Sequence, residues 1–464
     1  MENSELDIDF RFDRNRRWRK LFLVTARCNE RLPSKFIKFS GCNDGVAEKD
    51  AQMRHTEIAI AGGGLAGSAA AAMLGRAGFR VVLIDPHQLY PQDFRCEKLD
   101  GSQVRLLRKT GLAEAVLRAS TPDGNVWIAR FGRLIEKRPN DQLDLLYDTL
   151  VNTIRAEIPP AVTFIHGKAT AISTSPDRQT ITVSNGEEVS ARLIVLANGL
   201  NIGLRQNLGM ERNILSACHS VSIGFDLKPA GRSNFDFRAL TYYPERVADR
   251  MAYLALFPIG STMRANFFVY RDMKDPWLRA LRDSPERTLF AAMPGLQKLT
   301  GDIEVTDFIK IRPVDLYVTT GYQQPGIVLV GDAFSTSCPA AGTGVSKVFT
   351  DVERLCSVHI PLWLATPGMS EEKITTFYND AVKKACDSRS TAKAYYLRSL
   401  STDAGLAWRM RRGARFVAHF GRALLRRSCE RLLVRSLDQQ AMTIGSGASG
   451  HLIELARDNR SRRK

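Results

Sequence analysis

The sequence offers no cysteine pattern that would hold a metal or a disulfide framework. Its eight cysteines, Cys28, Cys42, Cys96, Cys218, Cys338, Cys356, Cys386 and Cys429, are scattered, with no CxxC pair and no His/Cys cluster at zinc spacing. No metal site is expected, and the thiols read as the reduced cysteines of a cytoplasmic protein. A compact basic module interleaved with aromatics is also missing, which leaves nucleic acid out as a partner. No signal-peptide pattern opens the chain: Glu2, Glu5, Asp7 and Asp9 precede the basic cluster at 14–20, and no long apolar core follows. Residues 1–53 are read as a disordered N-terminal extension. Long apolar runs are nearly absent. The longest uncharged stretch, IAIAGGGLAGSAAAAMLG at 58–75, has the length of a bilayer span, yet Gly and Ala supply at least half of it. Its triple glycine would interrupt a helix, so it reads as strand, turn and helix.

What remains is an ordinary globular composition, 44% hydrophobic and 25% charged over 464 residues, enough for two or three structural units. The formal net charge of +17 favours an acidic partner or a phosphorylated cofactor. About half of that excess lies in 401–464, with 14 Lys/Arg against 5 Asp/Glu.

The stretch HTEIAIAGGGLAGSAAAAMLGRAGFRVVLIDP at 55–86 predicts a strand over 57–61, a helix over 65–77 and a second strand over 80–84. Its glycines fit G-x-G-x-x-G as Gly62, Gly64 and Gly67. The first permits a tight turn, the second lets backbone approach a pyrophosphate at the helix start, and the third lets helix and strand pack closely. Leu65 and Ala66 complete that start. Asp85 closes the second strand, where a carboxylate takes the adenosine ribose hydroxyls. A dinucleotide, FAD or NAD(P), is the expected ligand.

A second signature follows at 327–355, IVLVGDAFSTSCPAAGTGVSKVFTDVERL: a buried strand, Gly331-Asp332-Ala333, then Pro339-x-x-Gly342-x-Gly344 and a helix. With the first fingerprint, it resembles the single-component FAD-dependent monooxygenases, the family of para-hydroxybenzoate and ubiquinone-pathway hydroxylases, which is related to geranylgeranyl reductases. The resemblance covers about 55–360. It implies that Asp332 binds the ribityl side of FAD, that the loop Pro339 to Gly342 runs beside the isoalloxazine, and that Gly344 and Val345 point a helix N-terminus at the pyrimidine edge. Such an end carries about half a positive charge and would stabilise reduced flavin. The family's third element is degraded here, with Asn198 for the usual acid in Ala197-Asn198-Gly199 and Arg205 at the arginine. That element is linked to both FAD and NAD(P)H, so the departure bears more on the nicotinamide. Arg95 and Gln103 stand where the family places a flavin-steering arginine and a ribityl- or pyrophosphate-contacting side chain. Cys338, beside the loop, reads as a small buried thiol.

Between these elements, 213–325 alternates with period two in runs at 220–227, 238–243, 251–260, 263–270 and 304–316, which predicts an antiparallel sheet with helices over 275–299. In the family such a sheet walls the substrate cavity. Tyr242, Tyr253, Phe257, Phe267 and Arg312 are the candidate lining residues. No catalytic acid or base is demanded, and the lone His219 is read as structural.

The halogenase Trp-x-Trp-x-Ile-Pro element is absent. YLALFPIG at 253–260 and RCEKL at 95–99 partly match the prenyl reductases instead. The tail predicts helices over 368–395 and 404–437; the second is basic and amphipathic, which suits peripheral contact with an anionic membrane. Residues 446–464 read as a disordered basic tail.

The expected fold is α/β: a discontinuous Rossmann-type FAD-binding domain (54–210 and 320–360), an inserted antiparallel substrate domain (211–319) and a helical C-terminal segment (361–445). The expected function is NAD(P)H-dependent, FAD-dependent monooxygenation of an aromatic or polyketide-like small molecule through a flavin C4a-hydroperoxide. The alternatives are prenyl double-bond reduction and a non-catalytic flavin-binding, membrane-docking protein. Oligomeric state is not legible.

Overall fold

A computed structural model describes residues 53–418 together with Phe420, Gly421 and Leu425. The expectations for residues 1–52 and for the tail beyond 425 lie outside them. The first apolar run forms β1 (Arg54–Ala61), the small-residue stretch forms α1 (Leu65–Arg76), and the next run forms β2 (Val81–Asp85). Four alanines, Ala69 to Ala72, are fully buried on α1, so the helix lies close against its sheet.

β1 pairs in parallel with β2 on one side and with the strand Glu188–Leu196 on the other. Thr163–His166 extends the sheet beyond β2, and Ile327–Leu329 adds to the far edge of Glu188–Leu196. The register sets Ala61 beside Leu196 and Leu196 beside Leu329. Three strands remote in sequence therefore end level, and the turns that follow them open at one mouth, the carboxyl end of a parallel sheet.

The second sheet runs in the order 303–305, 211–229, 262–269, 251–259, 239–243, 121–130, 133–144, 98–99, with 310–320 also paired to 211–229. Sheet membership crosses the expected boundary at 210, because the hairpin formed by Thr121–Arg130 and Arg133–Asp144 joins this sheet. One pairing, 239–243 with 121–130, is parallel rather than antiparallel. The run at 304–316 divides into Ile303–Val305 and Lys310–Thr320.

The expected helix over 368–395 is two, Glu371–Tyr378 and Ala381–Thr402. Asp380 stops the first and caps the second, its carboxylate accepting from the N–H groups of Val382 and Lys383. Among the described residues no helix is long and apolar enough to cross a membrane.

Ala381–Thr402 packs on the helix Gly344–Arg354 through buried charges rather than through apolar side chains alone. Lys383 Nζ lies 2.7 Å from Asp351 Oδ1 and 3.2 Å from Asp387 Oδ2, and Lys347 Nζ lies 3.4 Å from Asp387 Oδ1. Lys383 and Asp351 are each about 1% exposed. Removing one partner of a buried pair strands the other in a poor dielectric and costs about 3–5 kcal/mol. Lys383→Met should lower stability by that order in urea unfolding of the FAD-free protein, and Lys383→Met/Asp351→Asn should recover part of the loss.

Candidate active site

The turn after β1 is shaped by two glycines. Gly62 has φ +106°, and a Cβ there would sit 2.6 Å from the carbonyl oxygen of Ala197; a Cβ on Gly67 would overlap the carbonyl of Gly62. Gly64 is the N-cap of α1, which has neither a side-chain cap nor an acid in its first turn. The helix Gly344–Arg354 also starts without a side-chain cap or acid. By contrast, the helix Gly101–Lys109 has a full capping box from Asp100 and Gln103. Two helix ends at one mouth thus keep free N–H groups and positive dipole ends, the complement of a phosphate and of an electron-rich ring.

Asp85 turns back over this loop. Its carboxylate accepts from Gly63 N at 2.6 Å and His87 N at 2.9 Å, and Arg155 Nη2 lies 3.0 Å away. Arg155 also donates to the carbonyls of Gly63, His87 and Gln88. No motif marks Arg155, which comes from the helix Tyr147–Ala156; the one general signal for such a group is that a buried carboxylate needs a cation beside it.

The loop from Gly331 to Gly344 is held on every side. Asp351 Oδ2 accepts from Gly331 N (2.9 Å), Tyr317 donates to the carbonyl of Asp332 (2.6 Å), and Lys347 donates to Ser335 Oγ (2.5 Å). Arg205, fully buried, donates to the carbonyls of Ala333, Gly199 and Asn201. The degraded third element is thereby stapled to the second. Asp332 accepts from Arg95 Nη1 at 2.8 Å, and Asp93 bridges Arg95 to Arg312 at 2.5 and 2.6 Å. Burial opposes ionisation of Asp93, but the two guanidiniums outweigh it and hold the acid below its ordinary range. Cys338 is buried, with Sγ 3.5 Å from Ser220 Oγ, and burial pushes its thiol up.

A cavity of about 400 Å³ lies between this loop and the second sheet, within the range of small-molecule sites. Leu65, Arg95, Gln103, Asp332, Pro339, Gly342, Gly344 and Val345 line it on the loop side. Gly62, Gly64, Ala66, Gly67 and Asp85 lie at the adjoining turn and do not line it. The opposite wall includes Val126, Ile128, Ala255, Phe268 and Val314.

Of the five expected substrate-side residues, Tyr253 and Arg312 line the cavity. Tyr242 and Phe267 do not: both are registered opposite Leu254 and join its core on the other face of the sheet. Their neighbours Thr241, Tyr243, Asn266 and Phe268 face the cavity instead. In a period-two pattern with apolar residues on both faces, parity is set by what packs beyond each face. Phe257 shares the face of Tyr253 and Ala255 but is covered, with Lys98 Nζ 4.4 Å from its ring centroid. His219 is buried between Tyr270 and Tyr395, and burial lowers its proton affinity.

These residues fit FAD. The uncapped α1 start would take the pyrophosphate, Asp85 the adenosine side, Asp332 with Arg95 the ribityl side, and the start of Gly344–Arg354 the ring edge. Gln103 spends both ends of its amide on the chain, Oε1 accepting from Asp100 N and Nε2 donating to the carbonyl of Gly342, each at 2.9 Å. It positions the loop from below. Gln103→Ala should free Gly342 at a cost of about 1–2 kcal/mol, weakening FAD affinity roughly 5- to 30-fold in a flavin-fluorescence titration.

A family profile described as an FAD binding domain matches residues 55–360. The chain is 27% identical over 334 residues to 3-demethoxyubiquinol 3-hydroxylase of Escherichia coli (strain K12), covering 65% of this chain and 79% of that one. It is 25% identical over 318 residues to squalene monooxygenase of Rattus norvegicus, covering 64% of this chain and 53% of that one. Among solved structures, p-nitrophenol 4-monooxygenase from Pseudomonas putida DLL-E4 superposes with a TM-score of 0.64 at 17% identity, covering 81% of this chain and 98% of that one. A flavin-dependent halogenase superposes with a TM-score of 0.62 at 16% identity, covering 80% and 72%. The glycine turn, the two uncapped helix ends and the profile match over the same segment agree: the chain belongs to the FAD binding domain family, as an FAD-dependent oxidoreductase.

Proposed function

We propose that the protein is a monooxygenase that hydroxylates an aromatic or polyketide-like small molecule, with FAD as cofactor and NAD(P)H as reductant. The observation that carries this reading is the shared cavity, in which the loop Pro339 to Val345 faces the apolar wall of Val126, Ile128, Ala255, Phe268 and Val314. When bound, FAD supplies the activation of molecular oxygen. The wall keeps water from the reacting centre, and Tyr253, anchored through its hydroxyl to the carbonyl of Ala340 at 3.0 Å, fixes the loop against the sheet. Prenyl reduction finds no support from Phe257, which lies under Lys98 rather than on the cavity wall.

A second chamber of about 340 Å³ shares Asp100, Gln142, Tyr243, Tyr253 and Gly342 with the first and is lined by Arg130, Arg246, Lys393, Arg412 and Arg415. Arg130 Nε is buried without a hydrogen-bond partner, and its guanidinium stacks 3.7 Å from the Tyr243 ring centroid. Such a basic chamber suits the phosphates of a nicotinamide dinucleotide.

The helix at 406–418 turns Arg412 and Arg415 toward this chamber and lays Phe416 on Phe131. Its Leu406, Met410 and Val417, spaced four and seven apart on one face, are 66–70% exposed. That apolar face, flanked by Arg409 and Arg411, supports peripheral contact with an anionic membrane as part of the same proposal.

The FAD-loaded protein, incubated with NADPH or NADH, oxygen-18 gas and a panel of phenolic and prenylated compounds, should yield a product carrying one labelled oxygen by mass spectrometry. A product that gains two hydrogens and no label would decide for the reductase. In vesicle sedimentation, Leu406→Asp/Met410→Asp should abolish binding to phosphatidylglycerol vesicles; neutral phosphatidylcholine vesicles should bind neither form.

A further inference from the structure

The second chamber holds two arginines that repel each other and have no acid as partner. Arg130 ends one strand of the hairpin, Arg415 comes from the helix at 406–418, and both line the chamber. Among the described residues neither pairs with a carboxylate. Arg415 donates to the Tyr396 hydroxyl at 3.2 Å, and Arg130 lies on the Tyr243 ring with its Nε buried and unpartnered. Burial lowers the proton affinity of Arg130, Tyr243 offsets part of that, and Arg415 lowers it further.

The fold holds the two cations in place against that repulsion. Each is followed by a phenylalanine, and Phe131 meets Phe416 edge to face with ring centroids 5.4 Å apart. Phe131 takes a left-handed backbone, φ +50°, in the two-residue turn with Gly132, a position where a large side chain is rare. The acids that line the chamber are committed elsewhere: Asp100 caps the helix Gly101–Lys109, and Glu245 accepts from Tyr242 and from Gly295 N. Arg246 is paired with Asp249. Arg130, Arg246, Lys393, Arg412 and Arg415 against these three acids leave an excess of two positive charges. A phosphate monoester, at about −1.5 to −2 near pH 7, matches that excess.

We propose that Arg130 and Arg415 form a site for a phosphate monoester, both guanidiniums donating to its oxygens, and that the 2′-phosphate of NADPH is the group that fills it. A planar guanidinium matches phosphate oxygens two at a time, and stacking on Tyr243 fixes the plane of Arg130. The chamber meets the main cavity at Tyr243, Tyr253 and Gly342, so a molecule anchored here by its phosphate extends toward the loop beside the flavin. The origin of the phosphate rests on the reductant reading above; the phosphate site itself does not. It narrows the reductant from NAD(P)H to NADPH, because NADH lacks the 2′-phosphate. A phosphorylated substrate would offer the same chemistry, and the test separates the two.

The test uses the FAD-loaded full-length protein and two readouts: calorimetric binding of 2′-AMP against adenosine, and anaerobic bleaching of the flavin by NADPH against NADH. The wild type should bind 2′-AMP about tenfold or more tightly than adenosine, and NADPH should reduce it with a second-order rate constant about tenfold or more above that of NADH. Arg130→Met and Arg415→Met should each bring both ratios to within about threefold of one. Arg130→Lys, which keeps the charge and loses the fork, should fall between. Arg415→Met carries the test if Arg130→Met loses FAD. Arginine-dependent binding of 2′-AMP with equal NADPH and NADH rates keeps the phosphate site, overturns NADPH as its source and assigns it to a phosphorylated substrate. The same binding with reduction by neither overturns the reductant reading above as well. If 2′-AMP is held no more tightly than adenosine, or both ratios stay unmoved in the two Met variants, the site is overturned, and flavin reduction by NADPH or NADH leaves the reductant reading standing.

Discussion

The level ending of three parallel strands, at Ala61, Leu196 and Leu329, is the constraint on which the rest of the molecule depends. Backbone hydrogen bonds set that register, with Ala197 N donating to the carbonyl of Ala61 and Val330 N to that of Leu196. Because the strands stop together, a glycine turn, an asparagine-glycine turn and a Gly-Asp loop from widely separated parts of the chain meet at one mouth. Two of them lead into uncapped helices, whose dipoles converge on the space between. A one-residue slip of Ile327–Leu329 would turn its side chains over and carry Asp332 away from Arg95.

Holding that mouth open requires polar groups in places where an ordinary core would use apolar ones. The Gly331 to Gly344 loop makes few ladder bonds of its own, so its backbone is satisfied by Asp351, Tyr317, Arg205, Lys347 and Gln103. Each of these side chains must itself be supported, which explains the buried Lys383 beneath them, seated against Asp351, Asp387 and the Phe334 ring. An apolar layer could fill the volume but would leave loop N–H and C=O groups without partners.

The second sheet converts this mouth into a reaction chamber. Its hairpin at 121–144 crosses from the segment expected to bind dinucleotide and brings Asn140 and Gln142 to the wall opposite the loop, with Asp123 and Asp144 buried against Lys98. The C-terminal helix then closes a flank with Arg412 and Arg415 inward and Phe416 on Phe131, while Leu406, Met410 and Val417 face outward.

The local elements and their ligand chemistry were determined by the sequence alone. Spacing of Gly62, Gly64 and Gly67 between two apolar runs, Asp85 at a strand end and the Gly-Asp strand with its glycine helix start depend on short-range sterics and hydrogen bonding, which the nearest residues decide. The tertiary structure decided what depends on partners far along the chain. Arg155 on Asp85, Arg205 on Ala333 and Lys98 between Asp123 and Asp144 are charge pairings whose members no spacing rule connects. It also decided which of Tyr242 and Tyr243, or Phe267 and Phe268, faces the cavity: a strand buried on both sides carries apolar residues at both parities, and only the packing beyond each face distinguishes them.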